Sequence, residues 1–197
     1  MAKTGKTGVT SDTPKNIMFG AGTIHKNLVY DSTNHAWNFE ASIIGATSGG
    51  SKLSIIPEVT TIEADGALVR VKGLDVKTGE TAEMEINLLE ITKDIIKASI
   101  FGKNGTSADS NFDLIESKAD IEAGDYFTNI AFVGKTLDGR NIIAILDNAL
   151  CTSGFEASGA NKEGAVGTYT FASSAELTSD LDTLPYHIYY PKPLSNA

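Results

Sequence analysis

Hydrophobic and polar positions along this chain alternate far more often than they recur at helical spacing, and turn residues interrupt the alternation repeatedly. Asn16-Ile17-Met18-Phe19 predicts a short strand broken by Gly20-Ala21-Gly22, with Leu28-Val29-Tyr30 as its continuation or partner. Residues 53–62 are dense in Ile, Val and Thr, a strand composition, and Pro57 marks an edge or a bulge. After the turn pair Asp65-Gly66, residues 67–76 alternate, with Val69 and Val71 on one side and Arg70 and Lys72 on the other. A turn at Lys77-Thr78-Gly79-Glu80 leads to residues 81–91, where Met84, Ile86 and Leu88 share one face and Glu83 and Glu85 the other. Paired across that turn, the two segments predict a hairpin whose cations and carboxylates attract across the ladder.

The period changes once. Residues 92–102 predict a short helix: Thr92 is a good N-cap, Asp94 suits the positive end of the helix dipole, and Gly102 is a natural stop. Its apolar stripe is Ile96 and Ile100, with Ile95 and Ser99 beside them. Strands resume at 111–117, 126–134, 140–147, 164–172 and 185–190, and Leu137-Asp138-Gly139 turns the second into the third. Many short strands and one helix predict a mainly β domain, a β-sandwich or barrel, spanning residues 15–197 without a linker. Residues 1–14 hold almost nothing to bury and predict a flexible arm. Residues 31–50 predict a long polar loop or an extended hairpin, a length usually tied to function, and Trp37 and Phe39 within it need cover. Residues 153–164 predict a second, glycine-rich loop.

A length of 197 residues fits one large domain, and a net charge of −9 argues against a protein that grips phosphate backbones. The single cysteine, Cys151, excludes an internal disulfide; after the apolar run before it, it reads as a buried small side chain. The polar first residues lack the apolar core of a signal peptide, and the longest apolar run, 142–146, falls far short of the ~20 residues of a membrane span. The expectation is a soluble protein made in a cytoplasm, with no membrane contact.

Catalytic motifs fail on their context. Gly5-Lys6-Thr7 lacks the upstream glycine and strand of a phosphate-binding loop. Gly20-Ala21-Gly22 has His25 at the third glycine position and no helix after it, so a bulge or turn is the better reading. His25, His35 and His187 have no second ligand at metal spacing, and Ser158 lacks the first glycine of a nucleophile elbow. Asn104-Gly105-Thr106 reads as a turn. The expectation is no catalytic, cofactor-binding or metal-ligating set and no enzyme; a carboxylate-dependent hydrolase, whose paired carboxylates sequence spacing does not reveal, is the weakest alternative.

In order, the chain shows a polar arm, Phe19-Gly20-Ala21-Gly22-Thr23 leading to Leu28-Val29-Tyr30, a long polar loop, and Pro57-Glu58-Val59-Thr60. The hairpin from Gly66-Ala67-Leu68-Val69-Arg70-Val71-Lys72-Gly73 to Glu83-Met84-Glu85-Ile86-Asn87-Leu88-Leu89-Glu90-Ile91-Thr92 then runs into the one helix. This order resembles the major tail (tail tube) proteins of long-tailed bacteriophages and prophages; contractile-tail and type VI secretion tubes share the architecture. The resemblance implies a β-sandwich or barrel with one flanking helix, assembled as six-copy rings stacked into a virion tail tube. It also implies a tape measure protein and tail terminator and tip proteins as partners, no cofactor, and DNA passing through the bore without specific binding. By position it makes the arm and residues 31–50 the stacking candidates, with Trp37, Asn38, Phe39 and Glu40 at the contact. The two rings either anchor a neighbouring subunit or fold back onto their own domain. A capsid decoration or other surface-binding β module is the alternative reading.

Overall fold

The computed structural model describes residues 8–157, 161 and 164–192. The first half of the predicted arm, with Gly5-Lys6-Thr7, and Ser158 in the second glycine-rich loop lie outside the described residues. In chain order the elements are α1 (Thr13–Asn16), β1 (Met18–Lys26), β2 (Tyr30–Asp31), β3 (Ala36–Trp37), α2 (Phe39–Ser42), β4 (Thr47–Thr61) and β5 (Asp75–Leu88). They continue with α3 (Lys93–Ser99), β6 (Lys103–Asn104), β7 (Ile115–Glu116), a 3₁₀ turn (Ala123–Asp125), β8 (Phe127–Thr136), β9 (Asn141–Cys151), β10 (Gly167–Ala172) and β11 (Tyr186–Tyr189).

The domain is mainly β. Seven strands form one sheet in the order β1-β8-β9-β10-β5-β4, all adjacent pairs antiparallel. β9 is shared: residues 143–146 pair with β11, and Leu150 and Cys151 pair with β10 on the same edge. The two ends of the path, β1 and β4, lie near each other; among the described residues the hydrogen-bonded link between them is the His25–Ile43 bridge with the Ile44 N–H to Ile24 carbonyl bond of 3.0 Å, just before β4. Neither the closed barrel nor the clear two-sheet sandwich expected from the strand count is formed.

Alternation sets which side chains are inside. Ala82, Met84, Ile86 and Leu88 of β5 are buried as predicted, with Glu83 and Glu85 outside. They pack with Tyr169 and Phe171 of β10, Ile24 of β1, and Ile130 and Leu146 of β8 and β9, while Ile95 of α3 joins the same cluster. One residue along, the register pair Ala131–Ile145 faces the other way. With Val133, Ile143 and Leu28 it forms a second cluster. Burial on both faces explains why the β9 sequence is a continuous apolar run.

Several boundaries differ from the sequence expectation. The predicted hairpin over 67–91 is not formed: β5 runs straight through Lys77-Thr78-Gly79-Glu80 and pairs with β4, from Thr61–Asp75 to Thr47–Leu88. That register sets Leu53 beside Met84 and Ile55 beside Ala82, so β4 covers the core, which residues 67–76 could not do while leaving 53–62 unpaired. Residues 62–74 are instead the closing loop. β1 is not broken at the glycines; it shifts register between Phe19 and Thr23, a bulge with Gly20 at φ 89° and Gly22 at φ 68°. The strand expected at 111–117 shrinks to β7. The Leu137-Asp138-Gly139 turn is where it was predicted, closed by the Thr136 N–H to Arg140 carbonyl bond of 2.9 Å.

The expected single helix is α3, joined by the four-residue α1 and α2. Thr92 caps it, its Oγ1 accepting from the Ile95 N–H at 3.4 Å. Phe101, at φ 50°, makes the left-handed stop instead of Gly102. Gly102 serves two other ends: its N–H reaches the Lys97 carbonyl at 2.8 Å, and a Cβ there would sit 2.6 Å from Ile115 Cγ2. The buried stripe is Ile95, Ala98 and Ser99, one step round from the predicted Ile96 and Ile100, and Ile100 is exposed. Among the described residues no helix is long and apolar enough to cross a membrane.

Candidate assembly surface

The four sequence candidates lie in a compact flap that opens with a short hairpin, β2 paired with β3, in place of the long loop or extended hairpin expected over 31–50. Asp31 accepts from the Thr33 and Asn34 N–H groups at 2.8 and 3.1 Å, turning the chain so that β2 pairs with β3. Trp37 stands between two tyrosines, with ring centroids 5.2 Å from Tyr30 and 5.0 Å from Tyr189, both edge-on. Trp37 and Phe39 are half-buried against Leu28, Ala131, Val133, Ile143 and Ile145, so both rings fold back onto their own domain. Asn38 and Glu40 between and beside them face solvent. The remainder of 31–50 is α2 and the start of β4.

The flap is pinned by a histidine. His25 is buried at 1% exposure, with Phe39 over it at 5.5 Å. The Ser42 hydroxyl donates to the Asn38 carbonyl at 2.7 Å, which leaves His25 Nδ1 to donate to Ser42 Oγ at 2.9 Å and Nε2 to accept from Thr23 at 2.8 Å. Burial pushes the His25 pKa below its ordinary value. His187 lies 58% exposed on β11 and pairs with Asp147 at 3.0 Å, and burial raises the Asp147 carboxyl against the attraction of His187. Cys151 is buried, and burial raises its thiol pKa. These groups hold the fold and do not converge on a cleft.

The sequence reading missed three open surfaces. First, the sheet path ends in β1 and in the fifteen-residue β4, and the outer edge of β4 pairs with no strand among the described residues. Among the described residues, the outer edge of β1 is hydrogen-bonded at the short contact at 43–44, with the start of β4 close by. Second, the outer face of β4, β5 and β10 is uncovered and mostly polar, with Glu83 and Glu85 near Lys52, Thr168 and Thr170, and with Ile56 exposed on the same face. Third, the loop 62–74 holds Leu68 at 98% and Val69 at 77% exposure. The signals for the third were the Asp65-Gly66 and Lys72-Gly73 turns, which close a loop at both ends. No protein-family model matches the chain, and no curated protein matches it.

Proposed function

We propose that this chain is the major tail protein of a long-tailed bacteriophage or prophage, a structural subunit that assembles into stacked hexameric rings around a DNA conduit. The observation that carries the reading is a sheet that does not close, with the outer edge of β4 unpaired among the described residues and that of β1 bonded only near residues 24 and 25. A fifteen-residue edge strand exposes a row of main-chain donors and acceptors that proteins normally cover. Setting β4 of one copy beside β1 of the next continues the sheet from subunit to subunit, and the repeat closes into a ring. Within such a ring the subunits together make the closed β-wall of a tail tube, flanked by α3, although each copy alone has an open sheet.

The polar face carrying Glu83 and Glu85 then turns to the bore. Carboxylates there repel the phosphate backbone, so DNA slides without sticking, in keeping with the net charge of −9. A tape measure protein in the bore and terminator and tip proteins at the ends are the partners this reading brings, and the virion tail is its location. The test is negative-stain imaging of the concentrated full-length protein. Rings or tubes with a central hole are the expected result. Small discrete particles at every concentration would overturn the reading in favour of a surface-binding module.

A further inference from the structure

We propose that Asp65-Gly66 is a site of spontaneous covalent modification, Asp65 converting to isoaspartate in the folded chain while the same residue pair at Asp138-Gly139 is locked. The inference goes beyond the tail-tube reading and does not depend on it.

The reaction needs no enzyme and no co-reactant besides water. The Gly66 main-chain nitrogen attacks Cγ of Asp65, a C–N bond forms, and the N–H proton leaves with the carboxyl hydroxyl as water. Water then opens the resulting succinimide ring at either carbonyl. One opening restores aspartate; the other leaves the main chain running through Cβ, with the α-carboxylate as the side group. Mass and charge are unchanged. The attack requires a free carboxyl group, an N–H that is not held elsewhere, and no side chain shielding the nitrogen, which glycine provides.

Asp65 meets all three conditions. It and Gly66 are exposed, and nothing lies within 4 Å of where a Cβ on Gly66 would stand. The turn is closed by the Ala67 N–H to Ala64 carbonyl bond of 3.1 Å, and the Gly66 N–H donates to no group among the described residues. Thr61 and Arg70 donate instead to Asp75, at 2.7 and 3.0 Å, so the Asp65 carboxylate has no side-chain hydrogen bond or ion pair among the described residues. The Ile62 N–H to Leu74 carbonyl bond of 2.8 Å fixes the base of the loop and leaves the turn beyond it open.

The competing pairs are tied. Asp138 accepts from the Thr136 hydroxyl and from Arg140 Nε at 2.7 Å, and the Gly139 N–H donates to the Thr136 carbonyl at 2.9 Å. Asn104-Gly105, which closes the same ring by expelling ammonia, is held in the pairing of β6 with β7. There the Gly105 N–H donates to the Leu114 carbonyl at 2.8 Å, and a Cβ at Gly105 would stand 2.8 Å from Glu116 Cδ. Attack at either site must first break these bonds. At Asp65 nothing has to break before the ring closes. Conversion there adds one carbon to the main chain inside a four-residue turn, which draws Ala67 away from Ala64 and moves the neighbouring Leu68 and Val69.

The experiment ages the full-length chain for weeks at physiological pH and temperature, folded and in concentrated urea, and maps isoaspartate by peptide mass spectrometry with fragmentation that distinguishes the isomers. In the folded chain, isoaspartate at residue 65 should exceed that at residue 138 at least about tenfold, the worth of the bonds that hold Asp138 and Gly139. In urea the two pairs should convert at rates within about twofold of each other, and deamidation at Asn104 should rise at least about fivefold over the folded chain. Asp65→Glu, which must close a larger ring, should lose the product at residue 65 while leaving the far-UV circular dichroism of the parent. Equal conversion of Asp65 and Asp138 in the folded chain, or no isoaspartate at 65, would overturn the proposal. A preference for 65 that persists unchanged in urea would also overturn it, because sequence and not the fold would then set the site.

Discussion

Replacing Trp37 with alanine separates a residue that holds the subunit together from one that joins subunits. Burying a whole Trp removes up to ~250 Å² from water; about two thirds of that, at ~25 cal/mol per Å², is worth about 4 kcal/mol. The edge-on contacts with Tyr30 and Tyr189 add about 0.5 to 1.5 kcal/mol each, while the compactness of real unfolded chains takes a comparable amount back. The expected loss is therefore about 3 to 4 kcal/mol of subunit stability. With a urea slope of about 2 kcal/mol per molar, the midpoint should fall by roughly 1.5 to 2 M. Trp37 is the chain's only tryptophan, so the comparison must be read by far-UV circular dichroism, at concentrations too low for assembly. Because Tyr189 belongs to β11, the variant should also loosen that strand, visible as faster hydrogen exchange at residues 186–189. A loss below about 1 kcal/mol, together with failed assembly, would refute this reasoning and return Trp37 to the contact between subunits.

Thr92→Ala should cost about 1 kcal/mol in thermal or urea unfolding, with Thr92→Ser close to the parent, because only the hydroxyl caps the Ile95 N–H. Gly22→Ala should cost more than about 1 kcal/mol by the same measurement: φ is 68°, and the added Cβ would meet Phe132 Cε2 at 2.6 Å and the Val133 carbonyl at 2.9 Å. His25 titrates below its ordinary value of 6.5 in the folded chain, so the unfolded chain binds its proton first as pH falls. Its contribution is complete above pH 6.5 and is lost as pH drops towards the depressed folded value. Urea midpoints should decline over that window in the parent and not in His25→Asn, and a flat parent profile would contradict the assignment.

The inward face of β5 was legible because Met84, Ile86 and Leu88 alternate with glutamates, a pattern that holds whichever strand lies alongside. The choice of partner was not. Residues 53–62 and 67–76 both look like strands, and only the need to cover Ala82 and Met84 with Ile55 and Leu53 decides between them. For the flap, polar composition hid a turn made by the Asp31 side chain, and Trp37 and Phe39 were the sole hint that something folded back. The apolar loop escaped notice for a related reason. Alternation marks a strand half-covered by protein and a loop awaiting cover in the same way, and distance from the sheet, which distinguishes them, is a property of the fold.

The pairing of β1 with β8 shapes how the chain comes into being. Lys26 meets Ile130 and Met18 meets Thr136, partners more than a hundred positions apart, whereas β4 and β5 meet across one loop. At about 5 to 20 residues per second, a ribosome leaves β1 without its mate for roughly 5 to 20 seconds after it emerges. The β4–β5 hairpin can close within microseconds of synthesis. Newborn chains thus hold a finished hairpin beside an orphan strand. If two such chains emerge close together, the β1 of one can take the β8 of the other, a domain-swapped product whose yield should fall as elongation speeds up and the wait of β1 shortens.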